Sequence, residues 1–334
     1  MKDLFVVENI YLKKFAFILK AEEDITLPEY KGSVFRGAFG WAFRHTVCVT
    51  KSPECSGCLL QAHCLYFKYF ETEIKGHSIP FLKGVPKVPH PFVIHPPLDR
   101  KKEYKKGSLI EVQLSLFGTA SEYLPYFIHT FINLGKEGLG AGRKKVSLQK
   151  VESVSLTNQR ELVFDAEGGR IVTTGDKITS NDSLSVIPVT GTSNLRLKFL
   201  TPVRLQTDGK VVMNKLSITP ILLIKNIIRR YQAISYFYCE GSGENPLING
   251  IDEILVTENH LRFFEWSRYS NRQKTKMQMG GFVGGLTLSN ISSSALPYFY
   301  IGSILGIGKH TVFGMGKFVI EKDSMASGTV KNQV

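Results

Sequence analysis

Four of the five cysteines fall between positions 48 and 64, with the spacing Cys48-x6-Cys55-x2-Cys58-x5-Cys64. A central C-x2-C with a cysteine on either side can close a tetrahedral four-cysteine zinc site, and four thiolates leave no coordination position open for catalysis. An iron–sulfur cluster also uses four thiolates, His63 could replace one ligand, and free thiols are the remaining alternative. The pattern therefore predicts a structural zinc ion and no catalytic metal.

A second candidate for chemistry is residues 306–318, GIGKHTVFGMGKF, named the glycine loop below. It combines four glycines with Lys309, His310 and Lys317. Glycine lets backbone N–H groups approach an anion closely. A nucleotide-binding P-loop needs Ser or Thr after the lysine and a helix behind it, whereas His310 follows here and the next segment reads as a strand. The loop predicts an anionic partner and no nucleotide cofactor, with a tight turn as the alternative.

The charge balance narrows the class of partner. The 334 residues include 42 Lys and Arg against 29 Asp and Glu, a formal net charge of +13. Such an excess favours a nucleic acid or a membrane surface. No apolar run reaches membrane-spanning length, and the N-terminal sequence MKDLFVVENIYLKKF lacks the form of a signal peptide. We therefore expect a cytoplasmic protein that binds a nucleic acid and no membrane.

The most basic segment is residues 266–278, WSRYSNRQKTKMQ. Its cations fall at even positions and would share one face of a single strand: Arg268, Arg272, Lys274 and Lys276. Such a face can follow a phosphate backbone while Trp266 or Tyr269 stacks on a base. The alternative is a solvated edge strand whose lysines prevent aggregation.

An internal repeat predicts the architecture. Residues 112–127 and 284–299 align without a gap at an offset of 172 and share Leu-Pro-Tyr-Phe. A glycine-rich loop and a strand follow each copy, and a strand–helix pair precedes each. Arg143, after the last glycine of the first-half loop GKEGLGAGRKKVSL, mirrors Lys317, after the last glycine of the second. Two strand–helix–strand units make a β-α-β-β-α-β domain.

We therefore predict an α+β protein of tandem ferredoxin-like (RRM-like) domains. The first spans residues 1–190 and contains a cysteine-cluster insertion at 48–64. The second spans residues 191–322 and contains the glycine loop, and residues 323–334 form a disordered tail. This fold hosts many functions, so it does not decide the activity.

The chain resembles the Cas6 family, the CRISPR precursor-RNA processing endoribonucleases of the RAMP superfamily. The second half carries the resemblance in TPVRL, RRYQAISYFY, WSRYSNRQKTKMQMGGFVGGLTL and LGIGKHTVFGMGKF. The first half resembles the cysteine-bearing branch of that family in FRGAFGWAFRHTVC and LSLFGTASEYLPYF. The resemblance implies metal-independent cleavage of CRISPR repeat RNA in a prokaryotic cytoplasm, leaving a 2′,3′-cyclic phosphate and a 5′-hydroxyl.

The resemblance also implies roles for particular residues. The anion at the glycine loop becomes the RNA backbone, with Gly308, Lys309, His310, Gly314, Gly316 and Lys317 as contacts. Family members place a catalytic histidine near the end of the first helix, which is His45 here, and some combine it with residues matching Tyr30 and Lys51. Histidine suits proton transfer and lysine suits charge stabilisation. A structural His45, or one supporting the cysteine site, is the alternative.

Three classes of function are left open at this point. The first is the Cas6-like endoribonuclease, and the second is a non-catalytic RNA-binding RAMP subunit of a CRISPR effector complex. The third is a small-molecule or nucleotide enzyme on a ferredoxin-like scaffold. Cleavage of repeat RNA separates the first two, and nucleotide binding without RNA affinity would indicate the third.

Overall fold

The structure, a computed structural model, describes residues 10–74, 79–82, 87–185, 193–270 and 275–321. In this part of the chain each half forms its own antiparallel sheet, with helices packed against it. The predicted α+β class with tandem ferredoxin-like domains is confirmed. The predicted boundary between residues 190 and 191, and the tail at 323–334, lie outside the described residues.

The first half follows the order β-α-β-β-α-β with short additions. The elements are β1 (Tyr11–Ala21), β2 (Ile25–Thr26), α1 (Gly32–Val47), β3 (Phe92–His95), β4 (Glu103–Tyr104), β5 (Leu109–Phe117), α2 (Leu124–Glu137), β6 (Val146–Val154), β7 (Arg160–Asp165), β8 (Arg170–Ile171), β9 (Ile178–Thr179) and α3 (Ser180–Leu184). The central strands run in the order β3-β5-β1-β6, with β7 and β8 extending one edge and β9 pairing with β1, which is the ferredoxin-like arrangement.

The second half repeats the plan. The elements are β10 (Ser193–Val203), β11 (Gln206–Thr207), β12 (Lys210–Val211), α4 (Pro220–Tyr238), β13 (Leu255–Asn259), β14 (Arg262–Ser270), β15 (Thr275–Ile291), α5 (Leu296–Leu305) and β16 (Phe318–Glu321). The strands run in the order β13-β15-β10-β16, and β14 pairs with β15 to form a long hairpin. Among the described residues, no helix has the length and apolarity needed to cross a membrane.

Alternation along β1 decides which face of the first sheet receives the helices. Phe15 and Phe17 are fully buried, and successive strand residues point to opposite faces. Phe17 stacks on Phe131 of α2, with 4.0 Å between ring centroids. Lys14 therefore points away from the helices. Helix α1 adds three fully buried rings at four-residue spacing: Phe35, Phe39 and Phe43.

The internal repeat corresponds to equivalent elements. Residues 112–127 run through β5 into α2, and residues 284–299 run through β15 into α5. The aligned leucines of the two strands are all fully buried: Leu114, Leu116, Leu286 and Leu288. Leu-Pro begins both helices, because proline in the first turn loses no intrahelical hydrogen bond.

The glycine loop joins the two halves. The hydroxyl of Tyr30 donates to the carbonyl oxygen of Phe313 at 2.8 Å. A Cβ at Gly32 would lie 2.0 Å from that same oxygen, and a Cβ at Gly314 would lie 2.6 Å from the carbonyl oxygen of Ile94. Only glycine allows these approaches, so the loop packs directly on the start of α1 and the end of β3.

Candidate functional site

His45 lies on the exposed face of α1, in its last turn. Its imidazole packs against the indole of Trp41, with 3.6 Å between ring centroids and the planes tilted by 31°, because residues four apart on a helix are neighbours. Trp41 is itself 38% exposed. The pair presents a group suited to proton transfer beside an aromatic surface suited to stacking, both open to solvent.

The segment after α1 holds Lys51 at the same end of the helix. The Arg44 guanidinium donates to the carbonyl oxygens of Ser52 and Pro53, the latter at 2.8 Å. These bonds fix the chain that follows Lys51 to the last turn of α1. Lys51 is exposed and has a φ of 54°. Its ammonium group is therefore available to an anion near His45.

Tyr30 does not belong to this arrangement, contrary to the predicted Tyr/His/Lys set. It precedes α1 and His45 lies in the last turn, so most of a 16-residue helix separates them by about 20 Å. The Tyr30 ring packs on Trp266 with 4.6 Å between centroids. Burial raises the pKa of Tyr30 well above its ordinary value. Tyr30 therefore stabilises the junction of the two halves, with its hydroxyl donating to the carbonyl oxygen of Phe313.

The glycines of the glycine loop serve its turns. Gly308, Gly314 and Gly316 have φ between 75° and 82°, which glycine adopts without strain. A Cβ at Gly308 would lie 2.4 Å from the carbonyl oxygen of Arg204, and a Cβ at Gly316 would lie 1.9 Å from that of Ile307. The N–H groups of Gly314 and Gly316 donate to protein carbonyl oxygens at 2.8 and 2.9 Å. The prediction that these two N–H groups face RNA phosphates is therefore wrong.

The cationic side chains near the glycine loop converge on His310. Burial, and then the charges of Arg204, Arg268 and Lys309, lower the pKa of His310 to about 4. His310 is therefore neutral near pH 7. The guanidinium of Arg268 also lies 4.8 Å from the centre of the Phe313 ring. The structure thus brings Arg268, Lys309 and His310 together and adds Arg204, which sequence reasoning did not single out.

The predicted single basic strand over residues 266–278 is wrong. The segment is split between β14 and β15, which pair as an antiparallel hairpin. The register sets Arg268 opposite Met277 and Tyr269 opposite Lys276, so positions 268 and 276 lie on opposite faces. Arg272 and Lys274 lie outside the described residues. Even spacing fails here because β14 and β15 pair antiparallel, so the alternation of one strand does not continue into the other.

The last two predicted RNA contacts differ in environment. Arg143 lies in the turn before β6, where it is exposed and has a φ of 49°. Lys317 lies in the corresponding turn before β16 and is only partly exposed, and burial lowers its pKa. The repeat therefore does not give the two positions equal access to a ligand.

The four clustered cysteines line one cavity of about 300 Å³ beside the C-terminal end of α1. The hydroxyl of Thr50 lies 3.8 Å from the sulfur of Cys48 and 3.7 Å from that of Cys58. Within the described residues, no three His, Cys, Asp or Glu side chains are arranged to hold a metal ion. The thiols surround a common space without converging, so structural zinc stays a prediction that requires them to move inward.

Purified protein is expected to contain about one zinc ion per chain, because one four-cysteine site is predicted. Replacing Cys55 and Cys58 together with serine should lower the melting temperature, since a structural metal contributes its binding free energy to folding. Cys239→Ser, outside the cavity, is the matched control. Elemental analysis that finds neither zinc nor iron would contradict the prediction.

Comparison with known proteins divides the chain at the same place as the two sheets. Residues 10–176, half of the chain, match the AF_1859_N model, an N-terminal domain, and belong to that domain family. Residues 197–318 match the model of the CRISPR-associated endoribonuclease Cas6. An uncharacterised protein of Archaeoglobus fulgidus is 27% identical over 302 residues, which cover 88% of this chain and 92% of that protein.

Solved structures share the fold over nearly the whole chain. A Cas6 product complex of Thermus thermophilus matches with a TM-score of 0.54 and 19% identity, covering 93% of this chain and all of the other. A partial complex of Cas6-RT-Cas1 with Cas2 matches with a TM-score of 0.53 and 13% identity, covering 95% of this chain and 47% of the other. At these identities the likeness concerns the fold.

Proposed function

This chain belongs to the Cas6 family, and we propose that it is a metal-independent endoribonuclease that cuts CRISPR repeat RNA by attack of the RNA's own 2′-hydroxyl. The observation that carries the proposal is the exposed His45 at the end of α1, packed against Trp41 and followed by the anchored segment with Lys51. A proton-transfer group, an aromatic surface and a cation thus share one end of one helix.

The proposed chemistry needs three contributions from the protein. One group must take the proton of the attacking hydroxyl, one must protonate the leaving 5′-oxygen, and charge on the phosphorane must be stabilised. His45 is the group for proton transfer, because imidazole exchanges protons near neutral pH. Lys51 supplies positive charge at the same end of α1.

RNA binding is proposed to use positive charge near the start of α1, at the opposite end of the helix from His45. Arg204, Arg268 and Lys309 surround the neutral His310 beside the glycine loop, which packs on the start of α1. An RNA that spans from this cluster to His45 would lie along α1. The family relatives support this partner: one Cas6 of the same fold was solved as a product complex, and another with Cas1 and Cas2. The proposed setting is the prokaryotic cytoplasm.

Incubation with a repeat RNA tests the proposal. Cleavage is expected to continue in EDTA for as long as any structural zinc stays bound, and to leave a 2′,3′-cyclic phosphate and a 5′-hydroxyl. The 5′-hydroxyl end is identified because a kinase can phosphorylate it, whereas a 5′-phosphate end resists phosphorylation. Mass spectrometry identifies the 2′,3′-cyclic phosphate. A 5′-phosphate product, or cleavage that returns only with added divalent metal, would contradict the proposal. Binding without cleavage would indicate the non-catalytic RNA-binding subunit.

A further inference from the structure

The helix-free face of the first sheet meets the second half at three basic groups, named the junction cluster: Lys14, His95 and Lys317. The register pairs Lys14 with Ser115, and pairs both Ala16 and His95 with Gln113. Paired residues in antiparallel strands share a face, so Lys14 and His95 lie on one face. Lys317 lies in the turn before β16, three residues after Gly314, which packs on the carbonyl oxygen of Ile94 next to His95. Its charge acts on both of the other groups.

The two lysines of the junction cluster lie where their positive charges are unfavourable. Both are only partly exposed, and burial lowers the pKa of each. The charges of Lys317 and then Arg160 lower the pKa of Lys14 further, to about 8, against a smaller opposing effect of Glu111. Among the described residues, neither ammonium group has a hydrogen-bond or ion-pair partner. The charge of Lys317 thus opposes that of Lys14, and neither ammonium group is bound to an anion of the described residues.

His95 completes the junction cluster with a ring nitrogen that has no hydrogen-bond partner among the described residues. The residue is partly buried, and this burial, with the charges of Lys317, Lys14 and Arg230, lowers its pKa well below the ordinary value. Its Nε2 lies 2.9 Å from the hydroxyl oxygen of Ser115. Its Nδ1 is buried and has no partner among the described residues. If Ser115 donates to Nε2, the neutral ring carries its proton on Nδ1 and can donate it to an anion.

Nearby carboxylates are already paired elsewhere on this face. Arg160 donates to both oxygens of Glu111, at 2.8 and 3.0 Å, and to Glu152 at 3.2 Å. Lys150 also pairs with Glu152 at 2.6 Å. The buried Arg230, whose charge acts on His95, uses Nε on the carbonyl oxygen of Leu305 and leaves Nη2 without a partner among the described residues. The end of this face that meets the second half is therefore positively charged.

We propose that the junction cluster binds a phosphate group, held by the ammonium groups of Lys14 and Lys317 and by Nδ1–H of His95. A phosphate would replace the repulsion between the lysines with charge-assisted hydrogen bonds, which are stronger than neutral ones. The partial exposure of both lysines leaves a path for the anion.

The site is separate from the candidate active site. Helix α1 and His45 lie on the face of the first sheet that carries Phe17, and Lys14 points to the other face. The phosphate has two possible sources, a free anion or the backbone of a bound RNA. The RNA form rests on the proposed function, because it requires repeat RNA to be the ligand.

The free-anion form is tested without RNA. Melting temperatures are measured in phosphate and in chloride at equal ionic strength for the wild type, Lys14→Gln, Lys317→Gln and Lys14→Arg. Phosphate should raise the melting temperature of the wild type and Lys14→Arg, and should not raise that of either glutamine variant. In chloride alone Lys14→Gln should be at least as stable as the wild type, because it removes a repelled, partly buried cation. If Lys14 had only a structural role, Lys14→Gln should instead be less stable than the wild type in chloride.

Lys13→Gln is the matched control, since Lys13 immediately precedes Lys14 in β1, points to the other face and donates to Thr174. It should respond to phosphate as the wild type does. An equal phosphate response in Lys14→Gln, Lys317→Gln and Lys13→Gln would overturn the site.

The RNA form is tested by binding of a repeat RNA made non-cleavable by 2′-deoxy substitution. Lys14→Gln and Lys317→Gln should each weaken binding by roughly tenfold and reduce the slope of log K against log salt by about one, as for one lost phosphate contact. A lost phosphate response with unchanged RNA affinity supports the site and assigns it to a free anion. Failure of the wild type to cut RNA would overturn the proposed function and leave the phosphate measurements standing.

Discussion

Replacing His45 with alanine is expected to slow cleavage of repeat RNA by roughly 10²–10⁴-fold, the range for loss of a general acid or base. The imidazole is exposed at the end of α1 and held against Trp41, so it can reach a substrate without a rearrangement of the helix. Single-turnover rates at saturating enzyme give the effect on chemistry. Equilibrium binding should change little, because one side chain contributes little to an interface dominated by phosphate contacts.

His129→Ala is the matched control for this variant. His129 is also an exposed histidine on a helix of the first half, on α2 instead of α1, and it has no place in the proposed site. The His129→Ala variant should cleave repeat RNA at the wild-type rate. Wild-type rates in His45→Ala would exclude His45 as the proton-transfer group. His310, with its pKa lowered to about 4, would then be tested next.

A single 2′-deoxy substitution just upstream of the scissile phosphate is expected to abolish cleavage while leaving binding nearly intact. The proposed nucleophile is that hydroxyl, so its removal leaves no atom to attack the phosphorus. One hydroxyl contributes little to affinity when most contacts are to the backbone. Cleavage and filter-binding measurements on the same pair of oligonucleotides separate the two effects.

The control is an RNA with the deoxy substitution one nucleotide downstream of the scissile phosphate, which should be cut at the normal rate. Efficient cleavage of the upstream-substituted RNA would show that water or a protein group is the nucleophile. The proposed mechanism would then fail, even if His45→Ala proves inactive.

The sequence determined the fold because the patterns that specify it are local. Alternation in β1 buried Phe15 and Phe17 against the helices, and four-residue spacing in α1 buried Phe39 in the same core. The repeat at an offset of 172 predicted that Leu114 and Leu286 would occupy equivalent strands, and both are buried in them. Hydrophobic periodicity of this kind depends only on the geometry of single helices and strands. The Cas6 resemblance, read from motifs, is confirmed by the family match.

Patterns and motifs in the sequence were less informative about the candidate site. The Cas6 resemblance grouped Tyr30 with His45, although a straight helix keeps the two about 20 Å apart. Even spacing treated residues 266–278 as one strand, although the antiparallel register of β14 and β15 puts positions 268 and 276 on opposite faces. The resemblance also assigned Gly314 and Gly316 to RNA, although main-chain carbonyl oxygens already accept from their N–H groups. Some of the deciding contacts come from distant parts of the chain, since Tyr30 donates to Phe313 and Gly316 donates to Pro202.

The tertiary structure alone assembled the junction cluster. Lys14, His95 and Lys317 come from β1, β3 and the turn before β16, and no spacing in the sequence relates them. They meet because the glycine loop packs on the end of β3, where Gly314 admits the carbonyl oxygen of Ile94. Periodicity specifies which face of an element is buried, but the approach of two elements far apart in sequence depends on how the sheets dock. The fold could therefore be predicted from the chain, whereas the charges that share a site were decided only when the two halves came together.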